Sequence, residues 1–245
     1  MAVVGASASG EDISREIAGV AEAVYLSSQL GPGADTEAGF GPRGNIWRRP
    51  FVTAVAERAV TFGAGGAPVD VDVILWCTGY SYAFPFLEGL PDLRADDCVE
   101  PLYEHVFAPR YGASLSFVRL PFKVVPFPQF ELQAMWVAKC LSGAATLPAE
   151  AEMARWAEGF TADLAERKVL RRHTHKMGDG QWEYNDFLAE QCGVPKLPPW
   201  RKAMYERTGA NKRANPETYR DVHQDQDLAE EAHLSFATAA VATKA

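Results

Sequence analysis

Short apolar runs and glycine-containing turns alternate along the first part of the chain. Residues 2–4 predict a short strand, and the turn at 5–10 leads into a helix over 11–18 with isoleucines four apart on one face. A second strand is predicted at 23–26. The pattern therefore predicts a compact β-α-β unit.

The next segment is less regular. Glycines and prolines crowd residues 31–44, which predicts a loop, and strands are predicted at 51–55 and 59–62. Apolar and acidic residues alternate from 69 and give way to an apolar run ending at 77. This change predicts one strand with a solvent-exposed face in its first part and both faces buried in its last part.

Longer helical patterns return in the second half. The first covers 129–141, and its apolar stripe is formed by Phe130, Ala134, Val137 and Leu141. The second begins near Pro148, and its predicted buried face is formed by Met153, Trp156, Phe160 and Leu164. Another helix is predicted before Gly193. The end of the chain, residues 224–245, is Ala-rich but interrupted by charge, and we expect a frayed helix or a disordered tail.

Composition narrows the class of protein. The 245 residues carry 24 Lys+Arg against 32 Asp+Glu, a formal charge of -8, which argues against a nucleic-acid partner. The four cysteines are too scattered for a disulfide framework or a zinc knuckle, so we expect free thiols and no metal. No signal peptide or membrane span is recognisable, which predicts a cytoplasmic protein without membrane contact.

The turn after the first strand carries the main chemical signal. It is a degenerate G-x-G-x-x-G fingerprint formed by Gly5, Ala6, Ser7, Ala8, Ser9 and Gly10. In such turns the first and last glycines permit a tight bend and close helix–strand packing, and phosphates bind at the helix N-terminus. Ser7 replaces the middle glycine, so a plain β-turn-α connection remains an alternative.

Two further segments fit a dinucleotide site. Ser28 and Gln29 follow the second strand, where such folds contact the adenine ribose. Neither residue is acidic, so a 2′-phosphate on the ribose would not be repelled there. Thr78 and Gly79 follow an apolar strand, where a glycine suggests close backbone approach to a ligand. For Ser28 and Gln29, an ordinary polar strand end is an equal alternative.

Several blocks together resemble the flavin-containing monooxygenases, in particular their plant-type S-oxygenating, glucosinolate S-oxygenase-like branch. The similar blocks are 3–14, 76–87, 101–109, 127–136 and 173–193. The resemblance runs from Val3 to about Asp221. It implies an α/β, Rossmann-like two-dinucleotide-binding fold that uses NADP(H) and FAD. Enzymes of this family reduce FAD with NADPH and transfer one oxygen atom from O2 to a sulfide or an amine.

The resemblance also assigns residues and domains. The cofactor-binding residues it implies are Gly5, Ala6, Ser7, Ala8, Ser9, Gly10, Ser28, Gln29, Thr78 and Gly79. Gln29 stands where the family commonly has an arginine, so the choice between NADPH and NADH stays open. We expect residues 1–79 to be the NADP(H)-binding segment and 80–223 the C-terminal part of the FAD domain.

The family's FAD fingerprint is absent from this sequence, so we expect an N-terminally truncated, incomplete fold and assign no catalytic residue. Three interpretations remain open: a partial monooxygenase, a non-catalytic NADP(H)-binding fragment and a structural remnant. Many phenylalanines in the second half would lack partners in such a fragment. We therefore expect apolar surface that favours self-association.

Overall fold

The computed structural model describes residues 1–29, 39–90 and 92–242. The chain forms two compact units. The first combines Met1–Tyr80 with Asn211–Val222, and the second combines Ser81–Ala210 with His223–Ala245. The chain therefore passes from one unit to the other three times.

The first unit is built on two sheets. Its elements in chain order are β1 (Ala2–Val4), α1 (Ala8–Ile17), β2 (Val24–Ser27), β3 (Ile46–Arg49), β4 (Val52–Val55), β5 (Ala59–Phe62), β6 (Pro68–Asp70) and β7 (Ile74–Trp76). Strands β3, β2, β1 and β7 form a parallel sheet in that order, with Val3 paired to Leu26 on one side and to Leu75 on the other. Strands β4, β5 and β6 form a separate antiparallel sheet.

The core of the parallel sheet lies between its strands and α1. It is formed by Val3, Ala18, Val24, Leu26 and Ile46, all of which are completely buried. Strand β1 is central and buried along its whole length, which explains why it consists of small and β-branched residues alone. The predicted β-α-β unit is confirmed, with α1 beginning three residues earlier than expected.

The single strand predicted from 69 to 77 is wrong. The structure divides it into β6, which pairs with β5, and β7, which pairs with β1. Val71 between them is buried with Ala2 and Val60, whereas Asp72 and Val73 are exposed. The alternating pattern predicts one strand because both β6 and β7 are apolar on one face. Only the strands with which they pair distinguish them.

Strand β3 was not predicted, because its two apolar residues followed by two arginines show no alternation of apolar and polar positions. Of the glycine-rich loop predicted at 31–44, residues 30–38 lie outside the described residues. Its last part folds back on β3, where the backbone groups of Phe40 and Ile46 exchange hydrogen bonds of 2.9 and 3.2 Å.

The second unit is mainly helical. Its elements are β8 (Arg94–Ala95), β9 (Val99–Glu100), α2 (Pro126–Leu141), α3 (Glu150–Glu166), α4 (Gln181–Cys192), α5 (Pro199–Ala214) and α6 (Gln226–Ala242), of which the end of α5 belongs to the first unit. Helix α6 lies within the segment for which a frayed helix or a disordered tail was expected. Helix α5 was not predicted.

The buried face of α2 differs from the predicted stripe. Leu141 is 65% exposed, whereas Leu132, Gln133 and Trp136 are buried against α4. The apolar stripe did not predict the buried face because two glutamines, Gln129 and Gln133, are buried on it. In α3 the expected residue Met153 is buried, together with Ala157, while the aromatic members of the predicted face are only partly buried.

The predicted excess of apolar surface holds for some phenylalanines and not for others. Phe86 and Phe127 are about four-fifths exposed, at 80% and 83%. Phe107 and Phe117 are buried in two separate clusters of the second unit. Self-association through the exposed side chains stays a prediction.

Candidate functional site

The turn between β1 and α1 is held by close backbone contacts. Gly5 has a φ of +107°, and a Cβ built there would meet the Cys77 carbonyl oxygen at 2.3 Å. A Cβ on Gly10 would meet the Gly5 carbonyl oxygen at 1.7 Å. Both positions therefore exclude any side chain, which lets α1 approach the sheet edge closely.

The N-terminus of α1 is open to solvent. Ser7 is the N-cap residue, and its hydroxyl makes no capping hydrogen bond. Ser7, Ala8 and Ser9 are all exposed. Because the first N–H groups of a helix have no partner within it and lie at the positive end of its dipole, this turn can receive an anionic group.

The end of β2 lies next to this turn. Since β1 and β2 are parallel neighbours, Ser28 and Gln29 lie at the same carboxyl edge as the fingerprint. Ser28 donates its backbone N–H to the Arg49 carbonyl at 3.1 Å, and Gln29 is exposed. The preceding Ser27 is buried, and its hydroxyl donates to the Pro50 carbonyl at 2.8 Å, so it serves the fold.

The third predicted segment lies on the other side of β1. Because β7 is parallel to β1, Thr78 and Gly79 follow it at the same edge, and both are exposed. The Cys77 carbonyl that approaches Gly5 immediately precedes them. The structure thus brings together all three sequence segments that were singled out separately.

Two arginines at this edge were missed by sequence reasoning. Arg48 and Arg49 end β3, which pairs with β2 so that Arg49 lies opposite Ser27. Arg48 donates to Glu11 at 2.8 Å, and the guanidinium of Arg49 lies 5.7 Å from the centre of the Tyr25 ring. Only recognition of β3 as a strand could have placed these cations beside Ser28 and Gln29.

Glu11, in the first turn of α1, joins β3 to the helix. Its carboxylate accepts hydrogen bonds from Arg15 at 2.7 Å and from Arg48 at 2.8 Å. Burial acts to raise the pKa of Glu11, but these two guanidinium groups outweigh it and lower the pKa below its ordinary value. Glu11 therefore stays ionised and keeps both arginines near the sheet edge.

A second polar cluster lies in the core of the second unit. The Nδ1 atoms of His105 and His175 are 3.0 Å apart, and both side chains are buried. The backbone N–H of Val99 donates to Nε2 of His175 at 3.2 Å. Nε2 of neutral His175 therefore carries no proton, so Nδ1 of His175 donates to Nδ1 of His105.

The same cluster contains a second hydrogen-bonded chain. Gln133 donates to the Tyr184 hydroxyl at 3.0 Å, and that hydroxyl donates to the Glu104 carbonyl at 2.6 Å. Glu104 and His105 both have positive φ values, 49° and 59°, which is strained for side chains of this size. The hydrogen bonds and packing around them hold this backbone conformation.

Burial sets the protonation of this cluster. It lowers the pKa of both His105 and His175, and the neighbouring His175 lowers that of His105 further. Burial also raises the pKa of Glu104 to about 7. The two histidines are therefore neutral in the folded protein. Across the described ranges, no group of three or more His, Cys, Asp or Glu side chains could hold a metal ion.

Comparison with known proteins identifies the family. The model of the flavin-binding monooxygenase-like family matches residues 42–199. The chain is 43% identical over 235 residues to "Flavin-containing monooxygenase FMO GS-OX-like 4" of Arabidopsis thaliana, an alignment covering 96% of this chain and 52% of that relative. The chain belongs to the flavin-binding monooxygenase-like family. It spans about half the length of the curated relatives it matches.

Solved structures support the same assignment. The structure of S-allyl-L-cysteine S-oxygenase from Allium sativum superposes with a TM-score of 0.85 at 38% identity, covering 97% of this chain and 54% of that one. Tmm from Pelagibacter sp. strain HTCC7211 superposes with a TM-score of 0.71 at 21% identity, which shows a shared fold. The α/β, Rossmann-like fold class predicted from the sequence is confirmed. Enzymes of the family use FAD and NADPH.

In the described part of the chain, no helix is both long and apolar enough to cross a bilayer. The four cysteines are free thiols, of which Cys98 and Cys192 are buried.

Proposed function

We propose that this chain supplies the NADP(H)-binding unit of a flavin-dependent monooxygenase that oxygenates a soft nucleophile, with sulfides as the preferred class. The observation that carries the proposal is the convergence of three segments, 5–10, 28–29 and 78–79, at the carboxyl edge of one parallel sheet. Open α/β sheets bind their ligands in this position.

The residues at this edge fit a dinucleotide. The exposed N–H groups at the start of α1 would receive the pyrophosphate, and Gly5 and Gly10 let the helix pack closely against the sheet edge that presents them. Ser28 and Gln29 would donate hydrogen bonds to the adenine ribose. Arg48 and Arg49 add the positive charge that a 2′-phosphate requires, which favours NADPH over NADH.

Thr78 and Gly79 lie across β1 from the ribose side of this edge. We propose that they border the nicotinamide half of the dinucleotide, because the exposed backbone there leaves room for a flat ring. When bound, NADPH supplies a hydride. The role of this unit is to hold and orient the dinucleotide while the sheet edge and α1 exclude water from one side of it.

The FAD and oxygen chemistry is proposed at the level of the whole protein. The second unit, as far as it is described, contains a two-stranded antiparallel sheet and helices, with no second strand–glycine turn–helix for a dinucleotide. We therefore assign it no flavin contact. Sulfides are preferred over amines because a related protein of 38% identity is named an S-oxygenase.

Direct binding of NADP⁺ and NADPH to the purified chain tests the proposal. The variant Ser7→Asp keeps a strong N-cap residue, so α1 should form as before, but it places a carboxylate where the pyrophosphate would lie. We expect at least about tenfold weaker binding, because like charges about 4 Å apart near a protein surface repel by about 4 kcal/mol, whereas a tenfold change requires only about 1.4 kcal/mol. Ser7→Ala is the matched control and should change binding by less than about threefold.

Equal binding by Ser7→Asp and the unaltered chain would contradict the assignment of this turn. Absorbance spectroscopy after incubation with FAD separates two outcomes. Retained flavin that NADPH bleaches and air restores would support a redox role for this chain. NADP(H) binding without retained flavin would instead favour a non-catalytic nucleotide-binding module.

A further inference from the structure

The segment Asn211–Val222, which we name the strap, comprises the end of α5 and the residues that follow it, and it belongs to the first unit. Its residues converge on one carboxylate of α1. Lys212 Nζ lies 2.9 Å from both oxygens of Asp12, and Arg220 donates to Asp12 at 2.8 Å. The Tyr219 hydroxyl donates to the same carboxylate at 3.2 Å. The side chain of Asp12 is only 14% exposed.

A second pair of contacts extends this attachment along α1. Arg15 donates to Glu217 of the strap at 3.2 Å, and Arg220 donates to Glu16 at 3.1 Å. Asp12, Arg15 and Glu16 are spaced three and four residues apart, which places them on one face of the helix. The strap is therefore bonded to the middle and the last turn of α1.

The residue before Asp12 bonds the helix to the sheet. Glu11 accepts hydrogen bonds from Arg48 of β3, while its neighbour Asp12 accepts them from the strap. Both acids directly follow Gly10, whose contact with Gly5 sets the distance between α1 and the sheet edge. Arg15 joins the two attachments, because it donates both to Glu11 and to Glu217 of the strap.

We propose that the strap is an ionic clasp on α1 and that Asp12 is a positioning residue, which holds the helix so that its N-terminal N–H groups face the pyrophosphate of a bound dinucleotide. The nucleotide part of this inference rests on the proposed function. By linkage, a bound dinucleotide and a closed strap stabilise each other. Single ion pairs at a surface contribute little, but here three donors share one mostly buried carboxylate.

The charge of Asp12 makes the inference testable by the sign of an effect. Removing a carboxylate near an anion site would by direct electrostatics tighten the binding of a phosphate. Release of a clasp would weaken it. The variant Asp12→Asn therefore separates the two roles, since it keeps the size of the side chain and removes its charge.

The experiment measures NADP⁺ affinity by calorimetry and amide hydrogen exchange of the ligand-free chain. For Asp12→Asn we expect faster exchange in both the strap and α1, and roughly fivefold weaker NADP⁺ binding. The double variant Lys212→Met with Arg220→Met leaves α1 unaltered and should reproduce both changes. The matched control is Asp227→Asn, which breaks the ion pair of Asp227 with Arg207 outside the strap and should change neither.

Faster exchange in the strap with unchanged exchange in α1 would overturn the proposal, as would unchanged or tighter NADP⁺ binding by Asp12→Asn. Failure of the unaltered chain to bind NADP⁺ would instead reject the proposed function. In that case exchange alone decides the clasp: faster exchange of α1 in Asp12→Asn supports it, and unchanged exchange overturns it.

Discussion

The sheet edge of the first unit and the histidine cluster of the second use polar groups in opposite ways. At the edge, backbone N–H groups and the side chains of Ser7 and Gln29 are exposed and lack a closed network. In the cluster, His105, His175 and Tyr184 are buried and hydrogen-bonded to partners within the core. The first arrangement is ready for a ligand, and the second stabilises a fold.

The difference shows that polarity alone does not indicate a binding site. The edge depends on glycines that keep side chains away, so its chemistry lies in the backbone. The cluster depends on side chains whose hydrogen bonds are already used within the core. Substitutions in the two regions should therefore impair the protein for different physical reasons.

The largest effect is expected from Gly10→Val. The new side chain would begin 1.7 Å from the Gly5 carbonyl oxygen, so α1 must move away from the sheet. We expect a loss of at least about 3 kcal/mol in the free energy of unfolding. Denaturant titration measures it.

A helical glycine of the second unit provides the control for that loss. No atom lies within 4 Å of a Cβ built on Gly159 in α3. Gly159→Ala should therefore stabilise the protein by about 0.5–1 kcal/mol. A similar cost for both substitutions would show that the sheet edge has no special requirement for glycine.

The next largest effect is expected from His175→Phe. The substitution leaves the Val99 N–H and Nδ1 of His105 buried without partners, at a cost of about 2–4 kcal/mol. His173, two residues earlier, is not part of the cluster, and His173→Phe should change the stability by less than about 0.5 kcal/mol. Thermal denaturation of both variants makes the comparison, and equal melting temperatures would contradict the cluster's role.

Acid should destabilise the protein through the same cluster. The pKa values of His105 and His175 are lowered below 6.5, so below pH 6.5 the unfolded chain binds two protons that the folded chain does not. The pKa of Glu104 is raised from 4.5 to about 7, so the folded chain alone holds that proton in this range. The net difference of one proton costs about 1.4 kcal/mol per pH unit as pH falls from 6.5 to 4.5.

Above pH 6.5 only Glu104 contributes, and its effect has the opposite sign, so stability should fall slightly as pH rises through 7. Denaturant titrations at a series of pH values measure both slopes. In Glu104→Gln the fall above pH 6.5 should disappear, and the loss below it should become steeper. An unchanged profile in that variant would contradict the raised pKa of Glu104.

The smallest effect is expected at the arginine pair of the sheet edge. Arg49→Met should weaken NADPH binding by about threefold to tenfold and leave NADH binding nearly unchanged, because only NADPH carries the 2′-phosphate. Calorimetry with both nucleotides measures the ratio. Equal weakening of the two would show that Arg49 supports β3 rather than reads the phosphate.

Sequence patterns predicted individual helices and strands better than they predicted which elements pair or pack together. The strand at 2–4 and the helix before Gly193 follow from local spacing and are present, as is the predicted turn, which is shortened to 5–7 by the earlier start of α1. The division of 69–77 between two sheets could not be predicted, since strand pairing is a long-range choice. The predicted buried face of α2 was wrong because Gln133 is buried, and it bonds Tyr184, a residue far away in sequence.

By itself, the sequence determined the fingerprint turn, the family and the fold class, because these depend on residue types at fixed short spacings. Tertiary structure decided that 5–10, 28–29 and 78–79 share one edge, that Arg48 and Arg49 join them, and that the strap closes on Asp12. These facts depend on parallel pairing and on contacts across 200 residues. No local propensity encodes such contacts, since they form only when buried area and charge compensate the entropy of bringing distant segments together.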